Sequence, residues 1–176
     1  MRGPTFSPCV FCYRSASSSD GWQVNDYSWC GDSSFTISDW NDKVKNYTDY
    51  SIPIFLSEYG CNKPSPRQFT EVKTLYSKDM TSVFSGGLVY EYSQEPNNFG
   101  LVEISSDRSS VSKLGDFGAL KKQFAASSNP SGDGGFQENL PASTCPSKSS
   151  EWEASNDLPS LPQAAEQYYV SYLCLN

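Results

Sequence analysis

The sequence predicts an α/β fold in which parallel strands alternate with helices. Two short apolar runs, "IPIFLSEYG" and "GGLVYEYS", are typical of strands that are buried on both faces of a parallel sheet. The segments that follow such strands place apolar residues at helical spacing. Strands that alternate with helices in this way form a parallel sheet with right-handed crossover connections.

The first predicted strand is "WQVNDYSW", residues 22–29, in which polar and apolar residues alternate. A helix with Ser38 as its N-cap is predicted next. Four apolar side chains share one face of this helix: Ile37, Trp40, Val44 and Tyr47. The run "IPIFLSEYG", residues 52–60, is the second strand.

The connection after the second strand ends in Ser65 and Pro66, a helix cap followed by a first-turn proline. One long helix is expected after it, because six apolar side chains form a single stripe: Phe69, Val72, Leu75, Tyr76, Val83 and Phe84. The third strand is "GGLVYEYS". A third amphipathic helix, "LGDFGALKKQFAA", follows after a loop.

Three strand–helix units are too few to close a barrel or to cover both faces of a sheet. The sequence therefore predicts the last part of a larger (β/α)8 barrel. Composition divides the chain into an irregular segment 1–21, the partial barrel 22–126 and a segment 127–176 that is rich in Ser, Pro and Gly. We interpret the last segment as a surface tail or linker.

Charge and composition exclude several classes of function. The net charge of -7 argues against nucleic acid and anionic membranes as partners, since few cations could neutralise phosphates. Histidine is absent from the sequence, which removes the usual general base and the usual zinc ligand. We therefore expect no metal or other cofactor, and we expect carboxylates or tyrosines to carry any acid–base chemistry.

Cysteine content indicates an oxidising compartment. Six cysteines in a chain without histidine favour disulfides over metal sites. Asn46 begins the triplet Asn46-Tyr47-Thr48, an acceptor pattern for N-glycosylation. The start of the chain lacks the apolar region of a secretory signal. An oxidising compartment conflicts with the lack of a secretory signal, and we expect a missing N-terminal part to resolve this conflict.

One carboxylate, Glu58, ends an otherwise apolar strand. Parallel α/β barrels place their chemistry at the C-terminal ends of strands. Glu91 and Glu95 end the next predicted strand in the same manner. Position alone favours a solvated or ion-paired acid for each of them.

The residues around Glu58 narrow the interpretation. The strings "IPIFLSEYGCN", "NDYSWCGDSSF" and "SGGLVYEYSQEPNNFGLVEI" closely resemble glycoside hydrolase family 72, the fungal β-1,3-glucanosyltransferases of the cell wall. The resemblance extends from about Asp20 to Tyr168. It implies a retaining mechanism on a (β/α)8 barrel, of which this chain would hold about strands 6–8. Glu58 would be the nucleophile at the end of the seventh strand.

The resemblance also implies a second glutamate, which acts as acid and base. In the family it follows an asparagine at the end of the fourth strand, and no Asn-Glu dipeptide occurs in this sequence. We expect a fragment that is inactive by itself. The complete enzyme would cleave a β-1,3-glucan internally and transfer the new reducing end to the non-reducing end of another glucan chain.

Three aromatic residues match family active-site positions. The resemblance implies that Tyr27 approaches the nucleophile and that Tyr90 lines the sugar subsites. Phe99 stands where family members usually carry tyrosine, so we expect it to stack on sugar without donating a hydrogen bond. Core packing is the alternative for each ring.

Two disulfides are expected. The parallel strand ends that carry Cys30 and Cys61 lie close enough for a bridge, and the family has this bridge. The resemblance implies a second bridge between Cys12 and Cys145.

The resemblance implies donor and acceptor β-1,3-glucan chains as partners. It also implies a secreted, glycolipid-anchored location at the cell surface for the complete protein. A non-catalytic β-glucan-binding protein is the alternative function, and a pseudogene product without a stable fold is a third hypothesis.

Overall fold

The computed structural model describes residues 22–50, 52–137, 141, 147–153 and 163. They belong to two compact units. The first unit holds residues 22–50, 52–137 and 141, and the second holds residues 147–153 and 163. In the second unit, the backbones of Ser149 and Trp152 exchange two hydrogen bonds, of 2.8 and 3.2 Å.

The first unit alternates strands and helices, as the sequence predicts. In chain order its elements are β1 (Trp22–Asp26), α1 (Trp40–Tyr47), β2 (Ile54–Tyr59), α2 (Glu71–Leu75), α3 (Lys78–Thr81), β3 (Phe84–Val89), β4 (Val102–Ile104), β5 (Val111–Lys113) and α4 (Gly115–Ala126). Strands β1, β2 and β3 form one parallel sheet in sequence order. The carboxyl ends of the three strands therefore lie side by side at one edge.

A single hydrophobic core joins the sheet to the helices. Its most deeply buried side chains come from β2, β3 and the first three helices: Trp40, Ile54, Leu56, Tyr59, Val72, Leu75, Met80 and Phe84. Leu120 of α4 belongs to the same cluster. Because apolar burial is the main stabilising term, this core fixes the position of the sheet edge that carries Glu58.

Strand β2 contains one extra residue relative to β1. Against β1, Leu56 pairs with Val24, while Glu58, two residues later, pairs with the very next residue, Asn25. Against β3 the register shifts twice: first β3 has an extra residue between the partners of Ile54 and Leu56, and then β2 has one between Leu56 and Tyr59. Ile54, Leu56 and Tyr59 are buried, whereas Ser57 and Glu58 are only half-buried. The bulge thus breaks the two-residue alternation and keeps Glu58 off the buried face.

The first helix begins later than the sequence predicts. Ser38 does not cap α1, since Asp39 occupies the N-cap position and makes no side-chain cap hydrogen bond. Ser38 is buried instead, and its hydroxyl donates to the carbonyl oxygen of Ser34 at 2.8 Å. Ile37 lies in the preceding turn with 76% of its surface exposed. The prediction failed there because a turn placed an apolar side chain at helical spacing by chance.

The long helix predicted after Pro66 is two short helices. Helix α2 ends at Leu75, and α3 starts after Ser77, whose hydroxyl accepts a hydrogen bond from the backbone N–H of Asp79 at 3.3 Å. Ser65 caps no helix, because α2 begins only at Glu71. Phe84, predicted to end the helix, is the first residue of β3.

Strands β4 and β5 form a hairpin that the sequence pattern does not predict. These antiparallel strands pair Val102 with Lys113 and Ile104 with Val111. Their side chains are exposed except for Val102, so they lack the apolar pattern that indicates a strand. None of the helices within the described residues is long and apolar enough to cross a membrane.

Candidate active site

Glu58 is the penultimate residue of β2 and lies half-buried at the carboxyl edge of the sheet. The hydroxyl of Ser57 donates to the side-chain oxygen of Asn25 at 2.6 Å. This contact ties β2 to β1 at the bulge. The arrangement leaves the Glu58 carboxylate accessible at the sheet edge where parallel α/β folds carry their chemistry.

Tyr27 holds the Glu58 carboxylate directly. Its hydroxyl donates a hydrogen bond to Oε2 of Glu58 at 2.6 Å. Burial, followed by this hydrogen bond and the negative charge of Glu58, raises the pKa of the Tyr27 hydroxyl well above its ordinary value. Tyr27 is therefore a protonated donor at neutral pH, as an orienting group for a carboxylate must be.

The chain around Tyr27 is fixed by the preceding residue. Asp26, the last residue of β1, is buried and forms an ion pair with Lys43 of α1 at 2.7 Å. The other oxygen of Asp26 accepts hydrogen bonds from the backbone N–H and the hydroxyl of Ser28, at 2.8 and 2.6 Å. These contacts connect the segment that carries Tyr27 to helix α1.

Tyr90 and Phe99 complete an aromatic cluster with Tyr27. The ring centroids lie 6.3 Å apart for Tyr27 and Tyr90, 5.6 Å for Tyr27 and Phe99, and 5.4 Å for Tyr90 and Phe99. All three pairs have edge-to-face geometry. Each ring is half-buried, so the cluster is not part of the closed core. Partly exposed aromatic faces beside a carboxylate suit the stacking of sugar rings.

A buried arginine, Arg67, also belongs to this edge of the sheet, although no sequence pattern predicts it. Arg67 lies in the connection between β2 and α2, with only 3% of its surface exposed. Its Nε donates to Oδ2 of Asp116, at the start of α4, at 2.6 Å. A single arginine in a stretch rich in Pro and Ser carries no periodic signal. Only the long-range contacts show that it is part of the site.

A disulfide joins Cys30 to Cys61 beside the candidate site. The two Cα atoms are 5.1 Å apart. Since Cys30 follows β1 and Cys61 follows β2, the bridge links the two connections that flank Tyr27 and Glu58. Cys12 and Cys145 lie outside the described residues. Asn46 is exposed in α1, and its glycosylation stays a prediction.

The two other glutamates that were expected at a strand end lie elsewhere. Glu91 and Glu95 lie in the loop after β3 rather than at the end of that strand. Glu95 is exposed. Among the described residues, no group of three Cys, Asp or Glu side chains could hold a metal ion.

A cleft of about 410 Å³ opens at the opposite end of the sheet. Its lining includes Tyr50 and Pro53, which precede β2, and Ser85 near the start of β3. Tyr76 and Phe136 contribute aromatic surface to it. Because these strand ends are remote from Glu58 along the sheet, the cleft is not part of the candidate active site.

Comparison with known proteins decides the family. The family model of glycoside hydrolase family 72, described as glucanosyltransferase, matches residues 5–128. The chain belongs to this family. The 1,3-beta-glucanosyltransferase GAS5 of Saccharomyces cerevisiae is 54% identical over 154 residues, which cover 86% of this chain and 31% of GAS5. The 1,3-beta-glucanosyltransferase gel1 of Aspergillus fumigatus is 56% identical over 152 residues, covering 85% of this chain and 33% of gel1.

Solved structures of the family share the fold. Gas2p of Saccharomyces cerevisiae, in complex with laminaritriose and laminaritetraose, superimposes with a TM-score of 0.71 at 36% identity, over 88% of this chain and 40% of Gas2p. A mutant of Gas2p with laminaritetraose and laminaripentaose gives a TM-score of 0.68 at 35% identity. The predicted fold, the C-terminal part of a (β/α)8 barrel, is thereby confirmed. The family 72 chain spans about one third of the length of these curated relatives.

Proposed function

We propose that this chain carries the nucleophile half of a retaining 1,3-β-glucanosyltransferase active site, with Glu58 as the nucleophile. The observation that carries the proposal is the 2.6 Å hydrogen bond from the Tyr27 hydroxyl to the Glu58 carboxylate at the carboxyl edge of the sheet. It is supported by the names of the relatives, which are 1,3-beta-glucanosyltransferases. The Gas2p complexes with laminarin oligosaccharides support a β-1,3-glucan as the substrate.

In the proposed first step, Oε1 of Glu58 attacks the anomeric carbon of a glucosyl unit. The bond between that carbon and the leaving-group oxygen breaks, and a proton from an acid moves to the leaving oxygen. Tyr27 holds the other oxygen of Glu58, so that one carboxylate oxygen is fixed while the second faces the sugar. In the second step, the acid of the first step, now deprotonated, takes the proton of an acceptor hydroxyl, whose oxygen attacks the anomeric carbon. The bond from that carbon to Glu58 breaks, which frees the carboxylate and restores the original anomeric configuration.

The acid and base group of this mechanism must lie about 5–5.5 Å from the nucleophile across the sugar. The Asn-Glu pair that carries it in the family does not occur in this sequence. We therefore propose that residues 22–126 need the preceding strands of a family 72 barrel for transfer. The chain alone is expected to bind glucan without elongating it.

Transfer must also compete with hydrolysis by water. A transferase succeeds only if a second sugar is held against the intermediate, where its effective molarity is large. The cluster of Tyr27, Tyr90 and Phe99 offers partly exposed aromatic faces beside Glu58. We assign sugar stacking to Tyr90 and Phe99 and the orientation of the carboxylate to Tyr27.

A chimeric enzyme tests the proposal. Residues 22–126 would replace the matching segment of Saccharomyces cerevisiae GAS5, and the product would be incubated with reduced laminari-oligosaccharides. We expect elongated products, and we expect Glu58→Gln to abolish them. Glu103→Gln, which changes an exposed glutamate in β4, is the matched control and should leave elongation intact. Equal activity of both variants would refute the assignment of Glu58.

The assignment of Glu58 can also be tested in the 176-residue chain alone, with a donor that requires no acid. The donor for this test is a 2-deoxy-2-fluoro-laminaribioside that carries dinitrophenolate as its leaving group. Dinitrophenolate leaves without being protonated, so the reaction needs no acid. We expect an ester between Glu58 and the fluorosugar, with release of dinitrophenolate, detectable by mass spectrometry of the labelled peptide. Label on another residue would contradict the proposal.

For the complete protein we propose secretion and a glycolipid anchor at the cell surface. The Cys30–Cys61 disulfide supports an oxidising compartment. Fractionation of the producing cells, followed by phospholipase release, tests this proposal. Recovery of the protein in the cytosol would contradict it.

A further inference from the structure

We propose that Arg67 is the positioning residue of this site, because it holds the two segments that carry Tyr90 and Phe99 against the strand end that carries Glu58. The catalytic meaning of this role rests on the function proposed above. Its structural part stands on contacts of the described residues and is tested separately.

All five N–H donors of the guanidinium group have acceptors. Nε donates to Asp116. Nη1 donates to the carbonyl oxygens of Gly60 at 3.3 Å and Tyr90 at 2.7 Å. Nη2 donates to the carbonyl oxygen of Phe99 and, at 3.5 Å, to that of Gly100. Arginine is the side chain that can supply five donors in one rigid plane.

The acceptors belong to the segments that form the site. Gly60 lies two residues after Glu58 and directly follows β2. Tyr90 directly follows β3, and Phe99 lies in the loop beyond it. The backbone of this loop is closed by a hydrogen bond from the N–H of Glu91 to the oxygen of Phe99 at 3.0 Å. One buried guanidinium thus bridges two strand ends and the loop.

Asp116 and two aromatic rings fix the guanidinium itself. The carboxylate of Asp116 accepts from Nε and, at 3.2 Å, from the backbone N–H of Arg67. The guanidinium carbon lies 4.7 Å from the ring centroid of Phe69 and 5.8 Å from that of Phe99. Because the group is buried and anchored to α4, its plane dictates where the carbonyl oxygens of Tyr90 and Phe99 must lie.

This arrangement has a catalytic consequence. Tyr27 meets both Tyr90 and Phe99 edge-to-face and donates its hydrogen bond to Glu58. A shift of either ring would therefore move the group that orients the nucleophile. Displacement of a reacting group by about 1 Å can lower the rate roughly 100-fold. Arg67 touches no reacting atom in this scheme and acts through the residues that it holds.

Arg67→Lys in the full 176-residue chain is the first test. Lysine keeps the charge but has only three donors on one atom, so it cannot reach both strand ends and the loop. We expect a cooperative thermal transition together with loss of the proton–proton contacts between the rings of Tyr27 and Phe99 in NMR spectra. Titration with laminaritetraose should show binding weakened by roughly 10-fold, as expected for the loss of one well-placed aromatic contact.

Lys113→Met is the matched control, since it removes a cation that lies 5.0 Å from the ring of Phe117, a residue of α4. It should preserve the ring contacts of Tyr27. If Arg67→Lys does not fold, Asp116→Asn replaces it, because this variant keeps the shape of Asp116 and weakens only the anchor of Arg67. We expect a folded variant with weakened ring contacts.

Two outcomes would overturn the assignment of Arg67. A folded Arg67→Lys with intact ring contacts or unchanged laminaritetraose binding would show that Arg67 does not position the site. Loss of folding in both variants would make it a folding residue. If the unaltered chain fails to bind laminaritetraose, the proposed function of this chain fails, while the ring contacts still decide the role of Arg67.

Discussion

The hydroxyl of Tyr27, the residue that follows β1, lies 2.6 Å from the carboxylate of Glu58 in the adjacent strand β2. The pairing of Asn25 with Glu58 in the sheet places the residues in reach of each other. A hydrogen bond to a charged acceptor contributes about 1.5–3 kcal/mol. The contact is therefore strong enough to set the orientation of the carboxylate.

Removal of the Tyr27 hydroxyl should slow the transfer reaction proposed for Glu58. In the GAS5 chimera, we expect Tyr27→Phe to reduce the rate of elongation by about 10- to 100-fold, which corresponds to one charge-assisted hydrogen bond. Tyr92→Phe changes a tyrosine that is 60% exposed and serves as the control. A chimera in which both variants elongate equally fast would contradict the role of Tyr27.

The titration of Tyr27 should report on Glu58. Burial raises the pKa of the Tyr27 hydroxyl most, and the hydrogen bond and charge of Glu58 raise it further. Glu58→Gln removes the charge, so the pKa should fall but stay above its ordinary value. NMR titration of ¹³Cζ-labelled tyrosine measures this change. An unaltered Tyr27 titration in the variant would disprove the contact.

Glu71 should make stability depend on pH. Burial raises the pKa of its carboxyl from 4.5 to about 7, against a smaller lowering by its own backbone and by Arg67. Between these values the folded chain holds a proton that the unfolded chain has lost. The contribution of Glu71 to the free energy of unfolding of the chain therefore falls as the pH rises from about 4.5 to about 7.

The difference in unfolding free energy between the unaltered chain and Glu71→Gln isolates this effect. Between pH 4.5 and about 7 the unaltered chain should lose about 3 kcal/mol of unfolding free energy relative to Glu71→Gln. Denaturant unfolding at several pH values measures the shift. Glu103→Gln, at an exposed position, should show no comparable dependence. A pH-independent difference for Glu71→Gln would refute the prediction.

Loss of the disulfide should destabilise the first unit. The bridge between Cys30 and Cys61 closes a loop with a sequence separation of 31, for which chain entropy predicts a contribution of about 3–4 kcal/mol. We expect the Cys30→Ser, Cys61→Ser double variant to lower the denaturant midpoint accordingly. A midpoint equal to that of the oxidised chain would show that the bridge contributes nothing.

Strand β3 should tolerate no side chain at Gly87. A Cβ there would lie 2.8 Å from Cβ of Leu56 and 3.0 Å from its backbone oxygen. Gly87→Ala should cost about 1–3 kcal/mol of stability. Gly118 in α4 has nothing within 4 Å of such a Cβ, so Gly118→Ala should stabilise by about 0.5–1 kcal/mol. Thermal unfolding of both variants tests the contrast.

Strands and helices could be predicted from the sequence where their apolar residues are buried. Strands β2 and β3 and helix α4 could be predicted because their apolar residues pack into one core. The hairpin of β4 and β5 could not, since five of its six residues are exposed and leave no apolar pattern. The break between α2 and α3 depends on Ser77, whose capping role gives no signal in a continuous apolar stripe.

The candidate site likewise contains residues that could be predicted from the sequence and one that could not. The resemblance predicted that Tyr27 approaches Glu58, and the two side chains are in contact. The catalytic role of Glu58 stays a prediction. Arg67 could not be found by pattern, because its five acceptors come from four separate parts of the chain. Buried polar contacts of this kind are set by tertiary structure and leave no local periodicity.

The extra residue that β2 has relative to β1 decides to which face of the sheet the Glu58 side chain points. Substitutions near Glu58 can alter its surroundings but leave the count of residues after Leu56 unchanged. Deletion of Ser57 would bring the carboxylate into step with Ile54 and Leu56 and aim it at the apolar interior. Variation within this strand is therefore constrained in length more strictly than in composition.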